Sequence, residues 1–358
     1  MSKNKKLLII ILLIAIITVI GSYWLYKKSK VVSPATTSVP SQKTSAPTKV
    51  SSDTINLPFL PPSGKLFYYS PKERTLKKIN LATGQPEFIS SLPIPPNKYV
   101  SDIIWSPDEK SLFIKTTGSD TGTTFYLYNL AQKKLSPLNS HIISLVWLSK
   151  GDKIVYQYLD EENNINQLNL SAPDGSDQQL ILSFPQLVEF FLLRGLSEQE
   201  ILAAEEPSDI SETKIYRINL LAKTQTLLSQ LPTSSSGYIV RGNNLFYIFS
   251  SSPGQQFALV KYNLLSGQKS ALEMDVPSIS RVAINEEGTL VVVAKQEIAG
   301  KIKSFVFYKI DSKKNQKSRI EFTSQQPFTD VENLMLSPDE KTLYFISENI
   351  LYKLNISS

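Results

Sequence analysis

From residue 53 onward, apolar residues fall in short runs separated by polar turns rich in Gly, Pro and Asn. This alternation predicts an all-β fold. One hexad recurs seven times: LKKINL (76–81), FYLYNL (125–130), INQLNL (165–170), IYRINL (215–220), LVKYNL (259–264), FVFYKI (305–310) and LYKLNI (351–356). Its first, fourth and sixth positions are apolar or aromatic in every copy. Its fifth positions lie 49, 40, 50, 44, 46 and 46 residues apart. A period of this size built only from strands predicts propeller blades rather than a helical solenoid.

Each hexad has companions. A more apolar strand precedes it, at Lys65–Tyr69, Ser111–Lys115, Lys153–Tyr158, Glu200–Ala204, Asn244–Phe249, Thr289–Ala294 and Thr342–Ile346. Before that lies another, at Val100–Trp105, His141–Trp147, Leu187–Leu193, Ser278–Ile284 and Val331–Leu336. A weaker strand follows, as in Pro86–Ser90 and Lys269–Glu273. Four strands per unit, A to D, give blades at 53–94, 95–139, 140–185, 186–232, 233–274, 275–324 and 325–358. The prediction is a seven-bladed β-propeller; six or eight blades would need a hexad outside the ring or an unmarked extra unit. The seventh unit holds three strands, so an N-terminal strand, Val50–Asn56, is expected to complete it and leave Leu57–Leu60 to begin the first. Such closure removes the open sheet edges.

Turn chemistry supports the pattern. The A and B strands of units two and seven are joined by Ser106-Pro107-Asp108-Glu109-Lys110 and Ser337-Pro338-Asp339-Glu340-Lys341. Pro presets a turn, and Ser and Asp side chains satisfy local backbone donors. The hexad's Asn (Asn80, Asn129, Asn169, Asn219, Asn263 and Asn355, with Lys309 in the sixth copy) is expected to start the C–D turn in the same way.

The stretches WSPDEKSL (105–112) and LSPDEKTL (336–343) resemble the WSPDGK repeats of the TolB-like β-propellers. Those repeats are also found in the propellers of prolyl-oligopeptidase and dipeptidyl-peptidase type enzymes. A WD40-like propeller is the second choice, since the Gly-His and Trp-Asp pairs are absent. The resemblance implies a propeller used for binding, and it carries over no catalytic residue. Glu109 and Glu340 stand where that repeat has Gly, a residue suited to positive φ.

Ahead of the strands, residues 7–26 (LLIIILLIAIITVIGSYWLY) contain no charge. As a helix they would span about 30 Å, the hydrocarbon thickness of a bilayer. Tyr23, Trp24 and Tyr26 suit the interface. Residues 27–52 are rich in Ser, Thr and Pro and are expected to be a linker. The expected organisation is a cytoplasmic stub at 1–6, a single-pass transmembrane anchor at 7–26, the linker, and an extracytoplasmic propeller at 53–358.

The net charge of +6 belongs to Lys3, Lys5, Lys6, Lys27, Lys28 and Lys30, with no acid in residues 1–30. The remaining chain sums to zero, so nucleic acid is not expected as a partner. With no cysteine there is no disulfide or thiolate chemistry. His141 is the single histidine and is expected at a strand end. Asp160-Glu161-Glu162 and Asp174-Gly175-Ser176-Asp177 lack calcium-loop spacing and read as solvated turns. Trp105 and Trp147 read as packing between blades. No nucleophile elbow, P-loop or dinucleotide fingerprint occurs. No catalytic, cofactor-binding, metal or ligand-binding residue is singled out, and no cofactor is expected.

The leading expectation is therefore a non-catalytic, membrane-anchored protein-binding or scaffolding module of a bacterial envelope. Its partner, another envelope protein, would meet the long B–C loops at Thr116–Thr124, Leu159–Asn164, Glu205–Thr213, Ser250–Gln256 and Gln296–Lys303. The alternatives are a propeller hydrolase or lyase with carboxylates at the channel mouth, and a ligand sensor or assembly factor.

Overall fold

Seven four-stranded antiparallel units in sequence order are what the apolar runs build. The computed structural model describes residues 42–357, except 119–121, 186–189, 191, 206–210, 233–234, 251–256, 273, 300–301 and 323–327. Blade 2 shows the plan: A (Tyr99–Trp105), B (Ser111–Gly118), C (Gly122–Asn129) and D (Lys134–Pro137) pair in that order. The A strands of the other blades are Asn56–Phe59, Ile142–Trp147, Leu192–Gly195, Ser235–Arg241, Val282–Ile284 and Glu332–Leu336. The fold is an all-β, seven-bladed propeller, as the hexad period predicts.

The core lies between blades rather than inside them. A sheet in this arrangement is apolar on both faces, and each face packs on a neighbour. Blades 1 and 2 enclose Phe67, Tyr69, Trp105, Leu112, Ile114 and Tyr128. Blades 2 and 3 enclose Phe113, Phe125, Trp147, Ile154 and Tyr156. Equivalent buried clusters separate every later pair, and one joins blade 7 to blade 1 through Leu66, Tyr68, Tyr344 and Leu351.

The ring closes as expected, but with an earlier segment. Thr48 and Lys49 pair antiparallel with Lys353 and Tyr352 as the fourth strand of blade 7. Val50 then donates its N–H to Leu351 O at 2.8 Å, and Ile55 donates to Asn349 O at 2.9 Å. Just before these, Gln42–Thr44 runs parallel to Ile320–Phe322 as a fifth strand on blade 6. The last part of the expected linker is thus strand. A ladder needs only backbone groups, so polar residues without an apolar signature can enter it. Gly84, in the C–D turn of blade 1, sits so close to the closing segment that a Cβ there would lie 2.1 Å from Val50 O.

The Ser-Pro-Asp turns work through their side chains. Ser106 Oγ donates to Asp108 Oδ1 at 2.7 Å and accepts from Ser111 N at 3.0 Å, while Lys110 N donates to the same Asp108 oxygen. Ser337, Asp339, Lys341 and Thr342 repeat this in blade 7. Glu109 and Glu340 adopt φ of 58° and 59°, the left-handed region that the glycine of the related repeat suits. The Asn side chains accept turn N–H groups at Asn80, Asn129, Asn219, Asn263 and Asn355. Asn169 departs from the rule: blade 3 turns later, on Asp174, and the Asn169 amide is buried without a partner.

Two of the expected B–C loops are strand. In blade 2 the B and C strands pair out to Gly118 and Gly122, and in blade 6 (Leu290–Ala299 with Ile302–Asp311) out to Ala299 and Ile302. No helix among the described residues is long and apolar enough to cross a membrane; residues 7–26 lie outside them.

Candidate functional site

The A strands are the innermost of each blade, and neighbouring A strands touch. Trp147 Nε1 donates to Ile104 O at 3.1 Å and Arg241 Nε to Ile284 O at 3.4 Å; just ahead of the A strands of blades 6 and 7, Arg281 Nε donates to Val331 O at 3.2 Å. Gly195 permits the approach of blades 3 and 4, since a Cβ on it would lie 2.8 Å from Trp147 O.

Three charged residues of the A strands stand out: Asp102, Arg194 and Arg241. Asp102 lies on the A strand of blade 2, just after a bulge between Val100 and Asp102. A bulge re-aims the side chain that follows it. Asp102 is solvent-accessible but crowded by protein atoms, and this desolvation holds its carboxyl above the ordinary range. The N–H of Ile103, 2.8 Å away, and the charge of Lys115 oppose the shift without cancelling it.

At the A–B end of the channel, a cavity of about 370 Å³ opens between blades 1, 5, 6 and 7. Leu60 and Pro61 of blade 1, Arg241 of blade 5, Asn285 and Glu286 of blade 6, and Met335 of blade 7 line it. Arg241 Nε stands 3.7 Å from Glu286 Oε1. Arg194, on the A strand of blade 4, makes no hydrogen bond or ion pair with a described residue. Burial lowers its guanidinium to about 10; the like charge of Arg241 adds to this, and Glu286 opposes it. At neutral pH it remains charged.

The residues discussed from sequence fall elsewhere. Trp105 stacks on Phe59 with ring centroids 5.8 Å apart, and Trp147 on Phe113 at 4.4 Å, both between blades as expected. His141 sits just before the A strand of blade 3, with Nδ1 3.2 Å from Leu159 O and its ring against Tyr158. Asp160 and Asp174 accept hydrogen bonds from Asn163 and Ser176, as turn residues do. Of the B–C stretches expected to meet a partner, residues 119–121, 206–210, 251–256 and 300–301 lie outside the described residues. Sequence reasoning passed over Asp102, which interrupts an apolar run that becomes an innermost strand, and Arg194 and Arg241, which stand near the ends of two others.

No family model matches the chain, and no curated protein matches it. Solved structures do. An oligogalacturonate lyase in complex with manganese superposes with a TM-score of 0.60 at 14% identity, over 86% of this chain and 90% of that one. An oligogalacturonate lyase from Vibrio parahaemolyticus gives 0.59 at 13% identity, over 86% and 90%. The C-terminal WD40 domain of Sif2 gives 0.55 at 14% identity, over 88% and 99%. At such identities the likeness is one of fold, shared by propeller enzymes and WD40 domains alike.

These neighbours correct the leading expectation. A non-catalytic scaffold, and the absence of an enzyme, were expected because no catalytic motif is visible in the sequence. Two of the similar structures are lyases, so the expected alternative of a propeller hydrolase or lyase is better supported. The manganese named with the first does not fit the donors found here. Among the described residues no three His, Cys, Asp or Glu side chains are grouped to hold a metal.

Proposed function

We propose that the propeller is catalytic, a lyase or hydrolase that cleaves glycosidic bonds of an acidic oligosaccharide in its central channel. Asp102 carries this reading: it is a water-accessible carboxyl on a bulged innermost strand, with its proton affinity raised by desolvation. Such a carboxyl keeps its proton further toward neutral pH and is a stronger base once ionised. In an elimination it would take the proton from the carbon next to the substrate carboxylate as the C–O bond to the leaving sugar breaks. In a hydrolysis it would protonate the departing glycosidic oxygen instead. The superposition on oligogalacturonate lyases supports the substrate class.

The two SPDEK turns support a TolB-like propeller. Residues 7–26 are proposed as a single membrane anchor and the residues after them as a tether. This would place the enzyme outside the membrane, where acidic polysaccharides are met.

The test is turnover of oligogalacturonates and other acidic oligosaccharides by the purified chain. An unsaturated, ultraviolet-absorbing product identifies a lyase, and new reducing ends without that absorbance identify a hydrolase. Neither signal across a panel of acidic oligosaccharides would overturn the proposal.

A further inference from the structure

We infer that the cavity where blades 1 and 2 meet, at the start of their A strands, is a recognition site for a carboxylate-bearing sugar. It measures about 410 Å³, within the range of small-molecule sites. Leu57 borders it from the A strand of blade 1, and Tyr99 and Ser101 from that of blade 2. Arg74 enters from the B–C turn of blade 1, and Lys98 from the connection between the two blades. Both A strands are irregular at this place. Pairing shifts between Asn56 and Phe59 in blade 1, and between Val100 and Asp102 in blade 2. Leu57 adopts φ 48° just before Pro58, whose ring favours an extended neighbour. A bulky residue in the left-handed region is strained, and such strain and such bulges gather at ligand sites.

Charge and shape select the guest. Among the described residues the lining holds two cations, Arg74 and Lys98, and no acid. Neutral groups hold both in place. Arg74 Nη2 donates to Ile94 O and, at 3.0 Å, to Pro95 O. Lys98 Nζ donates to Thr124 Oγ1 at 2.8 Å and stands 5.5 Å from the centre of the Tyr126 ring. Neither cation forms an ion pair with a described residue, and Glu73, next to Arg74 in the chain, pairs with Lys77 at 2.9 Å. Two half-buried cations on one cavity wall without a counter-ion favour an anionic guest. The planar guanidinium matches a carboxylate through paired N–H groups, and the lysine adds a point charge. Tyr99, 74% exposed, offers a flat aromatic wall beside them. A uronic acid fits both features, with its carboxylate on the cations and the C–H face of its ring on Tyr99. The choice of a sugar acid rests on the proposed reaction, and the site adjoins that reaction's acid in the chain, since Ser101 of the lining immediately precedes Asp102.

Isothermal titration of the full chain with galacturonate, galactose and inorganic phosphate tests it. Saturable galacturonate binding that weakens with salt is expected. Galactose, which lacks the charge, and phosphate, which lacks the ring face, should both bind more weakly. Lys98→Gln should weaken galacturonate binding about tenfold or more, the loss of a charge-assisted hydrogen bond. Tyr99→Ala should weaken it about threefold and leave phosphate binding unchanged, because the ring supplies only the wall. Neither residue belongs to the buried core, so both variants should fold, and their melting temperatures check that. No galacturonate binding, galactose binding of equal strength, or stronger phosphate binding would each overturn the inference. So would wild-type galacturonate affinity in a folded Lys98→Gln or Tyr99→Ala chain. Binding that behaves as expected in a chain that turns over no acidic oligosaccharide would sink the proposed reaction and leave this site standing. Turnover with no galacturonate binding, and with KM untouched by Lys98→Gln, would do the reverse.

Discussion

Asn285 Nδ2 of blade 6 donates to Glu340 Oε1 of blade 7 at 2.8 Å, so the left-handed glutamate of one A–B turn is tied to the neighbouring turn. Asn285 also caps its own turn, accepting from Thr289 N and Leu290 N. Glu109 occupies the matching place in blade 2 with φ 58° and makes no cross-blade hydrogen bond with a described residue.

The two glutamates should therefore respond differently to glycine. A left-handed L-residue costs about 1–2 kcal/mol, while glycine gives up about 0.5–1 kcal/mol of chain entropy. Glu109→Gly should stabilise the fold by about 0.5–1 kcal/mol. Glu340→Gly should give no gain, because the bond to Asn285 is lost with the strain. Paired urea unfolding curves check this; equal gains at both sites would contradict it.

Ring closure has an acid-sensitive latch. Asp53, in the closing segment, accepts from Tyr68 Oη at 2.6 Å and pairs with Lys77 Nζ at 3.0 Å. The Tyr68 hydroxyl holds its carboxyl below the ordinary range; burial opposes this, and Lys77 reinforces it. A depressed folded value means the stabilisation is present above the ordinary carboxylate pKa and lost as pH falls through the folded value. Asp53→Asn should thus cost about 1–2 kcal/mol at neutral pH and almost nothing in strongly acid solution. A stability difference that stays constant with pH would show that the latch is not electrostatic.

The closing strand itself can be removed. A chain starting at residue 50 lacks the partners of Tyr352 and Lys353 and exposes the edge of blade 7. Compared with a chain starting at residue 40, it should melt at least several degrees lower and aggregate more readily, as thermal melting with light scattering would show.

Gly195→Ala tests the packing beside Arg194. Its Cβ would meet Trp147 O, a backbone atom that cannot swing aside. A loss of about 1–3 kcal/mol is expected from such overpacking, read from chemical unfolding. An unchanged midpoint would mean that the inner strands of blades 3 and 4 are looser than drawn.

The hexads and turn residues made the ring legible because local chemistry and the global fold agree at almost every blade. Thr48 and Lys49 were missed as the closing strand because their contribution is backbone pairing, which leaves no apolar trace. The polar hairpin arms around Gly118–Gly122 and Ala299–Ile302 extend past the core and so read as loops. Asp102, Arg194 and Arg241 were hidden for another reason. They sit on three different blades, and only ring closure shows that their strands share one channel. A charge within or at the end of an A strand is the signal that could have found them.

The central claim is that Asp102 moves a proton in the channel reaction, and turnover by Asp102→Asn on the best acidic oligosaccharide tests it most directly. The variant keeps the shape of the side chain and removes its acid–base function. It should retain the wild-type melting temperature and ligand affinity while kcat falls about a hundredfold or more. A folded Asp102→Asn chain with wild-type kcat would contradict the account.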